Sequence, residues 1–246
     1  MSAFRLGLLN PNSDARHTEA MRAVAAEALG PGHEVVAVTA AGAPSSIETA
    51  TDEALAAAEV VQMVRETPGL DAYLIACFGD PGLHAARELT GAPVVGIGEA
   101  GFRAACLVAS RFAVITTLGR GVPELEDAVD REGLSRRCVG VIPLEIPVHD
   151  QGSWNQNASD AIVAAGRRAM EESRAEALVL ACGAMADTAG SVSRALGIPV
   201  CDGVSFGAML AYGLWRSGLR TSKVGAYGWP APTPGNMPEV TAVRVE

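Results

Sequence analysis

Two cysteines, Cys77 and Cys182, stand out among the side chains that could move a proton or attack carbon. Each closes an apolar run, Ala72–Cys77 and Ala177–Cys182, and each is followed by a turn containing glycine. Continuous apolar runs read as parallel strands covered on both faces. In open α/β sheets ligands bind at the carboxyl ends of such strands. A thiol placed there, beside turn N–H groups and a helix N-terminus, is expected to have its pKa lowered. After Cys77 the turn reads Phe78-Gly79-Asp80-Pro81, which suggests Asp80 as an N-cap and Pro81 at the first helical position. After Cys182 it reads Gly183-Ala184-Met185.

Two facing thiols admit several chemistries. A metal site is disfavoured, because the chain has no Cys-x-x-Cys, His-Glu-x-x-His or other close ligand pair. A dithiol redox couple stays open, although such pairs usually share one turn. A Cys–His nucleophile would need His84, whose place on the helix after Cys77 is expected to face away. The remaining use is symmetric proton transfer: one thiolate removes a proton from a carbon stereocentre and the opposite thiol returns one from the other face. The plainer view is two buried cysteines in Ala-rich strands, a common fate of free Cys.

The elements around these residues alternate from end to end. Strand-like runs cover Arg5–Asn10, Glu34–Thr39, Ala72–Cys77, Pro93–Ile97, Phe112–Thr117, Ala177–Cys182, Pro199–Cys201 and Lys223–Gly228. Helical stretches between them include Ala15–Leu29, Thr49–Arg65, Pro81–Thr90, Pro123–Glu132 and Ala158–Ser173. That alternation predicts βαβ units in right-handed, doubly wound parallel sheets. An internal repeat divides the series. Asp71–Ala100 and Glu176–Phe206 both hold an apolar strand ending in Ala-Cys, a glycine turn, a helix, and a Leu, Gly, Pro, Val lead into another strand. Arg5–Asn10 and Arg111–Thr117 echo one another more weakly. Two pseudo-symmetric α/β lobes are therefore expected, residues 1–101 with 213–246 carrying Cys77 and residues 102–212 carrying Cys182. A pseudo-twofold between them would bring both cysteines to one cleft.

A competing motif is Gly96-Ile97-Gly98-Glu99-Ala100-Gly101, which matches G-x-G-x-x-G after a strand and before an apolar helix. A dinucleotide site would need an acidic residue at the end of the next strand, and that strand ends in Thr116-Thr117. The expected reading is a crossing between halves whose glycines allow close packing. Trp154 and Trp229 sit in loops suited to subunit contact or lid packing, and Cys106, Cys138 and Cys201 read as core. Composition narrows the function classes further. The chain of 246 residues has a net charge of −9, 49% apolar and 19% charged residues, and only 4% aromatics. That suits one large or two small domains with a core of Ala, Val, Leu and Ile. The acidic balance and the lack of a Lys/Arg cluster argue against a nucleic-acid partner. No apolar run approaches the ~18 residues that span a bilayer, and no signal peptide is evident at the start. An odd set of five cysteines in apolar contexts argues against a disulfide scaffold. A cytoplasmic protein, a homo-oligomer with a small-molecule partner and no membrane contact, is the expectation.

The runs Asn10-Pro11-Asn12-Ser13, Pro44-Ser45-Ser46-Ile47-Glu48, Ala76-Cys77-Phe78-Gly79-Asp80-Pro81-Gly82 and Ala181-Cys182-Gly183-Ala184-Met185 resemble the aspartate/glutamate racemase superfamily, and within it most closely the hydantoin/allantoin racemase branch. The resemblance covers nearly the whole chain and is most specific around Cys77. It implies an isomerase without metal or other cofactor, built from two α/β halves with the active site in the cleft between them. By that resemblance Cys77 and Cys182 are the acid/base thiols, and Asn10, Ile47, Phe78, Gly79, Thr116, Thr117 and Gly183 line the substrate pocket. One departure stands out: the branch usually follows its second Cys with Ala-Gly-Met, where this chain has Gly183-Ala184-Met185. Amino-acid racemases of the superfamily place polar pairs after both cysteines, whereas here the turns hold Phe78-Gly79 and Gly183-Ala184. Those turns suit a neutral ring such as a 5-substituted hydantoin or allantoin, with Phe78 and Ile47 as apolar walls. The alternatives are a maleate cis–trans isomerase-like enzyme, an amino-acid racemase, or a non-catalytic two-lobed binding protein. Arylmalonate decarboxylases of the superfamily use only the second Cys, so the presence of Cys77 speaks against that role.

Overall fold

The computed structural model describes residues 3–148 and 156–231. In the first half β1 (Arg5–Asn10), β2 (Glu34–Thr39), β3 (Ala72–Ile75) and β4 (Val94–Gly96) form a parallel sheet of order β2-β1-β3-β4. In the second half β5 (Phe112–Thr116), β6 (Cys138–Pro143), β7 (Ala177–Leu180) and β8 (Val200–Asp202) repeat the same order, β6-β5-β7-β8. The architecture is α/β with two doubly wound parallel sheets, as the alternation of elements predicts. Helices α1 (Ala15–Leu29), α2 (Ala50–Glu66), α3 (Leu83–Leu89) and α4 (Ile97–Val108) follow the strands of the first half. Helices α5 (Val122–Arg131), α6 (Gln156–Ser173), α7 (Ala189–Leu196) and α8 (Gly203–Arg216) follow those of the second.

The duplication extends to single hydrogen bonds. Ala76 N donates to Leu9 O and Ala181 N to Ile115 O, both at 2.8 Å. Each bond pins the residue just before a cysteine to the end of the neighbouring strand. Strands β3, β4, β5 and β7 are buried along their whole length, which explains their unbroken apolar sequence.

Three apolar clusters make up the interior. Two are outer layers, one per sheet. The third joins Leu6, Leu8 and Leu74 of the first sheet to Val114, Ala177 and Val179 of the second. Helices α4 and α8 make that union. Helix α4 leaves the first sheet and packs on β7 and β8, while α8 leaves the second and packs on β3 and β4. Small residues let the two helices cross closely, since a Cβ at Gly203 would overlap the carbonyl oxygen of Ile97. Each half thus lends its last helix to the other's sheet, and the halves share one core.

Two expectations need correction. Residues 223–228 do not form a strand. A 3₁₀ turn, Gly225–Tyr227, occupies that stretch. Lys223 Nζ donates to the Arg87 carbonyl at 2.6 Å, and Thr221 N donates to Gly91 O at 3.0 Å. The segment is anchored to α3 by side-chain and single backbone bonds, which a strand-like apolar pattern does not reveal. Conversely, β6 is a strand that Gly140, Pro143 and its half-buried pattern conceal. Trp154 lies outside the described residues, as do residues 232–246 of the expected first lobe. Trp229 is half exposed, with Lys223 Nζ 4.3 Å from its ring centroid. Among the described residues no helix is long and apolar enough to cross a membrane.

Candidate active site

Both cysteines sit just past a strand end, at equivalent places in the two sheets. The turn after Cys77 closes with Asp80 N donating to Cys77 O at 3.0 Å, and the turn after Cys182 with Met185 N donating to Cys182 O at 3.1 Å. Both sulfurs lie deep on the wall of one cavity of about 110 Å³ that opens between the halves. The two turns, Phe78-Gly79 and Gly183-Ala184, line it, as do Thr116 and Thr117 from the end of β5. Ile47, Glu48 and Thr49 approach from the loop before α2, held by a capping box in which Asp52 N donates to Thr49 Oγ1 and the Asp52 carboxylate accepts from Thr49 N. Glu48 Oε1 in turn accepts from Val148 N at 3.1 Å, tying that loop to the second half.

The electrostatics overturn one expectation. Burial pushes the Cys77 thiol up to about 12 and the Cys182 thiol up to about 11. The backbone N–H of Gly79 on the first sulfur, and those of Ala184 and Met185 on the second, oppose the rise without cancelling it. Neighbouring acids add to it: the other thiol, Asp80 and Glu53 around Cys77, and Glu48 near Cys182. The helix dipole does not rescue Cys77, because α3 starts only at Leu83 with Gly82 as its cap and the effect falls off within a turn. These are strong bases when ionised, not thiolates poised at neutral pH.

Asp80 has a different task from the expected N-cap of α3. Its carboxylate accepts from Gly98 N at 2.9 Å and Glu99 N at 2.8 Å, which caps α4 instead. Burial pushes this carboxyl up to about 8 even so. The glycines of Gly96-Ile97-Gly98-Glu99-Ala100-Gly101 exist for this contact. A Cβ at Gly96 would overlap the Asp80 carboxyl, and one at Gly98 would overlap the Phe78 carbonyl and lie 2.8 Å from Asp80 Oδ2. The motif seats the Cys77 turn on α4, and no acidic residue ends β5 to read a ribose.

Comparison with known proteins gives the family. Residues 6–211 match the family model Asp/Glu/Hydantoin racemase. The chain belongs to that family. It is 38% identical to a hydantoin racemase of a Pseudomonas species over 92% of both chains, and 41% identical to a hydantoin racemase of Rhizobium meliloti over 92% of this chain and 95% of that one. The solved allantoin racemase from Klebsiella pneumoniae superposes with a TM-score of 0.90 at 36% identity, covering 94% of this chain and 95% of the other. Like the racemases it matches, this family member is an isomerase.

Of the racemase-like pocket residues expected from sequence, Cys77, Cys182, Ile47, Phe78, Gly79, Thr116, Thr117 and Gly183 all line the cavity. Asn10 does not. It is fully buried, and its Nδ2 donates to Asn12 Oδ1 at 2.8 Å and Thr18 Oγ1 at 2.9 Å. It fixes the loop that presents Asn12 to the cavity. His84 faces away as expected, its Nδ1 2.9 Å from the Tyr227 hydroxyl. The sequence reading missed His17, Glu53, Arg120 and Glu124, which line the cavity from α1, α2, the 3₁₀ turn Gly119–Gly121 and the start of α5. For His17 the signal was its spacing from Met21, one helical turn on, which shares the same wall. Burial holds the His17 imidazole below its ordinary pKa, so it stands neutral. Among the described residues no three His, Cys, Asp or Glu side chains group to hold a metal ion.

The seating of the Cys77 turn can be tested directly. Gly98→Ala is expected to destabilise the fold by about 1–3 kcal/mol through overpacking. By shifting Cys77 it should also lower racemase kcat/KM on the order of 10²-fold. Denaturant midpoints and polarimetric rates would check both, and unchanged kinetics would show that the turn tolerates the methyl.

Proposed function

We propose that this protein racemises 5-substituted hydantoins or allantoin, with Cys77 and Cys182 as paired acid and base and no metal or organic cofactor. The single observation behind the reading is the pair of thiols at equivalent turns of a duplicated fold, opening on one cavity. The names of the relatives at 38% and 41% identity support the substrate class.

The reaction follows from the residues. A thiolate on one side takes the proton from C5, and the C–H electron pair moves into the adjacent carbonyl as an enolate. The thiol on the other side gives its proton to the opposite face of C5, and the electron pair returns to carbon. The product is the mirror image, and the two sulfurs have exchanged protonation states. The reverse reaction needs the same groups with their roles swapped. Raised thiol pKa values serve this chemistry, because each thiolate is then a base strong enough for a carbon acid. Thr116 and Thr117 and the neutral His17 offer hydrogen bonds to ring carbonyls and N–H groups, while Phe78 and Ile47 give apolar walls. Hydrogen bonds already aimed at the oxygen that gains charge help the transition state most.

A polarimetric screen of allantoin, 5-benzylhydantoin, free Asp and free Glu tests the reading. Loss of optical rotation is expected with at least one ring and with neither amino acid. Activity on Asp or Glu alone would overturn it. Tight binding of a ring with no loss of rotation would favour a binding protein instead.

A further inference from the structure

The cavity holds a charged feature that a plain ring substrate does not explain. Glu53, on α2 of the first half, and Glu124, on α5 of the second, both line it. Their carboxyls meet over the turn that follows Cys77. A Cβ at Gly79 would overlap Glu53 Oε1 and lie 3.4 Å from Glu124 Oε1. We propose that the Glu53–Glu124 pair makes this cleft select 5-substituents carrying a positive charge or N–H donors over apolar ones, an inference that rests on the ring-racemase function above.

The geometry of two-sided proton transfer constrains where a substituent goes. The C5–H direction runs between the two sulfurs, so ring and substituent project to opposite sides of that line. Met21 stands against Gly183 in the turn after Cys182, and Asn12 and His17 also line the cavity with polar groups that suit ring carbonyls and N–H groups. The substituent is assigned to the carboxyl pair over Gly79.

The charges around the pair leave it acidic. Arg131 lowers the Glu53 pKa, while Asp80 raises it and Glu53 in turn acts on Cys77. Arg120 lines the cavity too, but its charge lowers the pKa of Asp52 on α2. Burial, and then the hydrogen bond and charge of Glu124, push Glu53 up to about 8. Near neutral pH Glu53 therefore keeps its proton, hydrogen-bonded to Glu124. An ammonium or guanidinium arriving there replaces that proton as the compensating charge, so its binding releases a proton. An alkyl chain meets two polar groups it cannot satisfy.

Two hydantoins of matched size test this, 5-(4-aminobutyl)hydantoin and 5-pentylhydantoin. At low salt and pH 7.5 the wild-type enzyme is expected to racemise the aminobutyl compound with a kcat/KM at least tenfold higher. Its KM should fall as pH rises through about 8, while the KM of the pentyl compound stays flat. Calorimetry in buffers of different ionisation enthalpy should show proton release with the aminobutyl compound alone. In an E53Q/E124Q variant the ratio of the two kcat/KM values should drop to within threefold of one. Equal rates for both compounds in the wild type, or a preference that survives in the variant, would overturn the selectivity while leaving the racemase function standing. Racemisation of neither compound would instead remove the function on which the selectivity rests.

Discussion

Changing either Cys77 or Cys182 to Ser is expected to lower racemisation by about 10³-fold or more, each change alone sufficing. Positioned acid–base groups contribute typically 10²–10⁴-fold apiece, and here each turnover needs both. A Ser hydroxyl matches the thiol in shape but is a far weaker acid. It can neither ionise to serve as base nor release a proton readily enough to serve as acid. The two single variants should lose similar amounts, because racemisation in either direction passes through both groups. The double variant should lose little more than either single one, as groups that act as a unit are not additive. Circular dichroism and denaturant midpoints should stay near wild type, since both residues sit in turns beyond the strands and Ser fits the same space. Full racemisation by either single variant would exclude a paired mechanism.

The pH profile should be nearly as large an effect. The thiols are pushed up to about 12 and about 11 by burial, so below those values the ionised fraction grows tenfold per pH unit. The reacting form has one thiol and one thiolate, and kcat/KM reports the pKa values of the free enzyme. For a 5-alkylhydantoin kcat/KM is therefore expected to climb about tenfold per unit from pH 7 to pH 10. Because the thiols are coupled, the inflection at the top belongs to the pair and not to either residue. Glu53, titrating near 8, works weakly against the rise by adding negative charge beside Cys77. Alkylation by iodoacetamide should follow the same slope and be slow at neutral pH. A plateau in both from pH 7 upward would mean that one thiol is ionised at neutrality.

Much of this arrangement was legible in the chain because duplication writes itself twice. The Ala-Cys pairs that follow β3 and β7, with a glycine turn after each, marked both thiols in the sequence. The continuous apolar strands announced parallel sheets. What stayed hidden depends on convergence. Glu53 and Glu124 lie on helices that are not counterparts in the repeat, and only the folding of α2 and α5 toward the cleft makes them neighbours. Asn10 was legible as the end of a strand but not as a buried residue turned away from the cavity, because its partners Asn12 and Thr18 could equally have left its amide free. The thiol pKa values were misjudged for a related reason. Sequence shows a helix following Cys77, yet the start of α3 at Leu83 and the depth of the sulfur decide the outcome. The glycine motif gave the reverse lesson, since its spacing is that of a nucleotide loop while its use is to seat Asp80 on α4.

The central claim is that the proton leaves one face of C5 to one cysteine and returns from the other cysteine on the opposite face. Racemisation of a single enantiomer in deuterated water, stopped at low conversion, tests it most directly. The two enantiomers would be separated by chiral chromatography and the C5 label read by mass spectrometry. Under the two-thiol mechanism the product enantiomer carries deuterium, because its proton comes from a thiol already exchanged with solvent, while the recovered starting enantiomer keeps hydrogen. Deuterium appearing equally in both enantiomers, or product that retains the original proton, would contradict it.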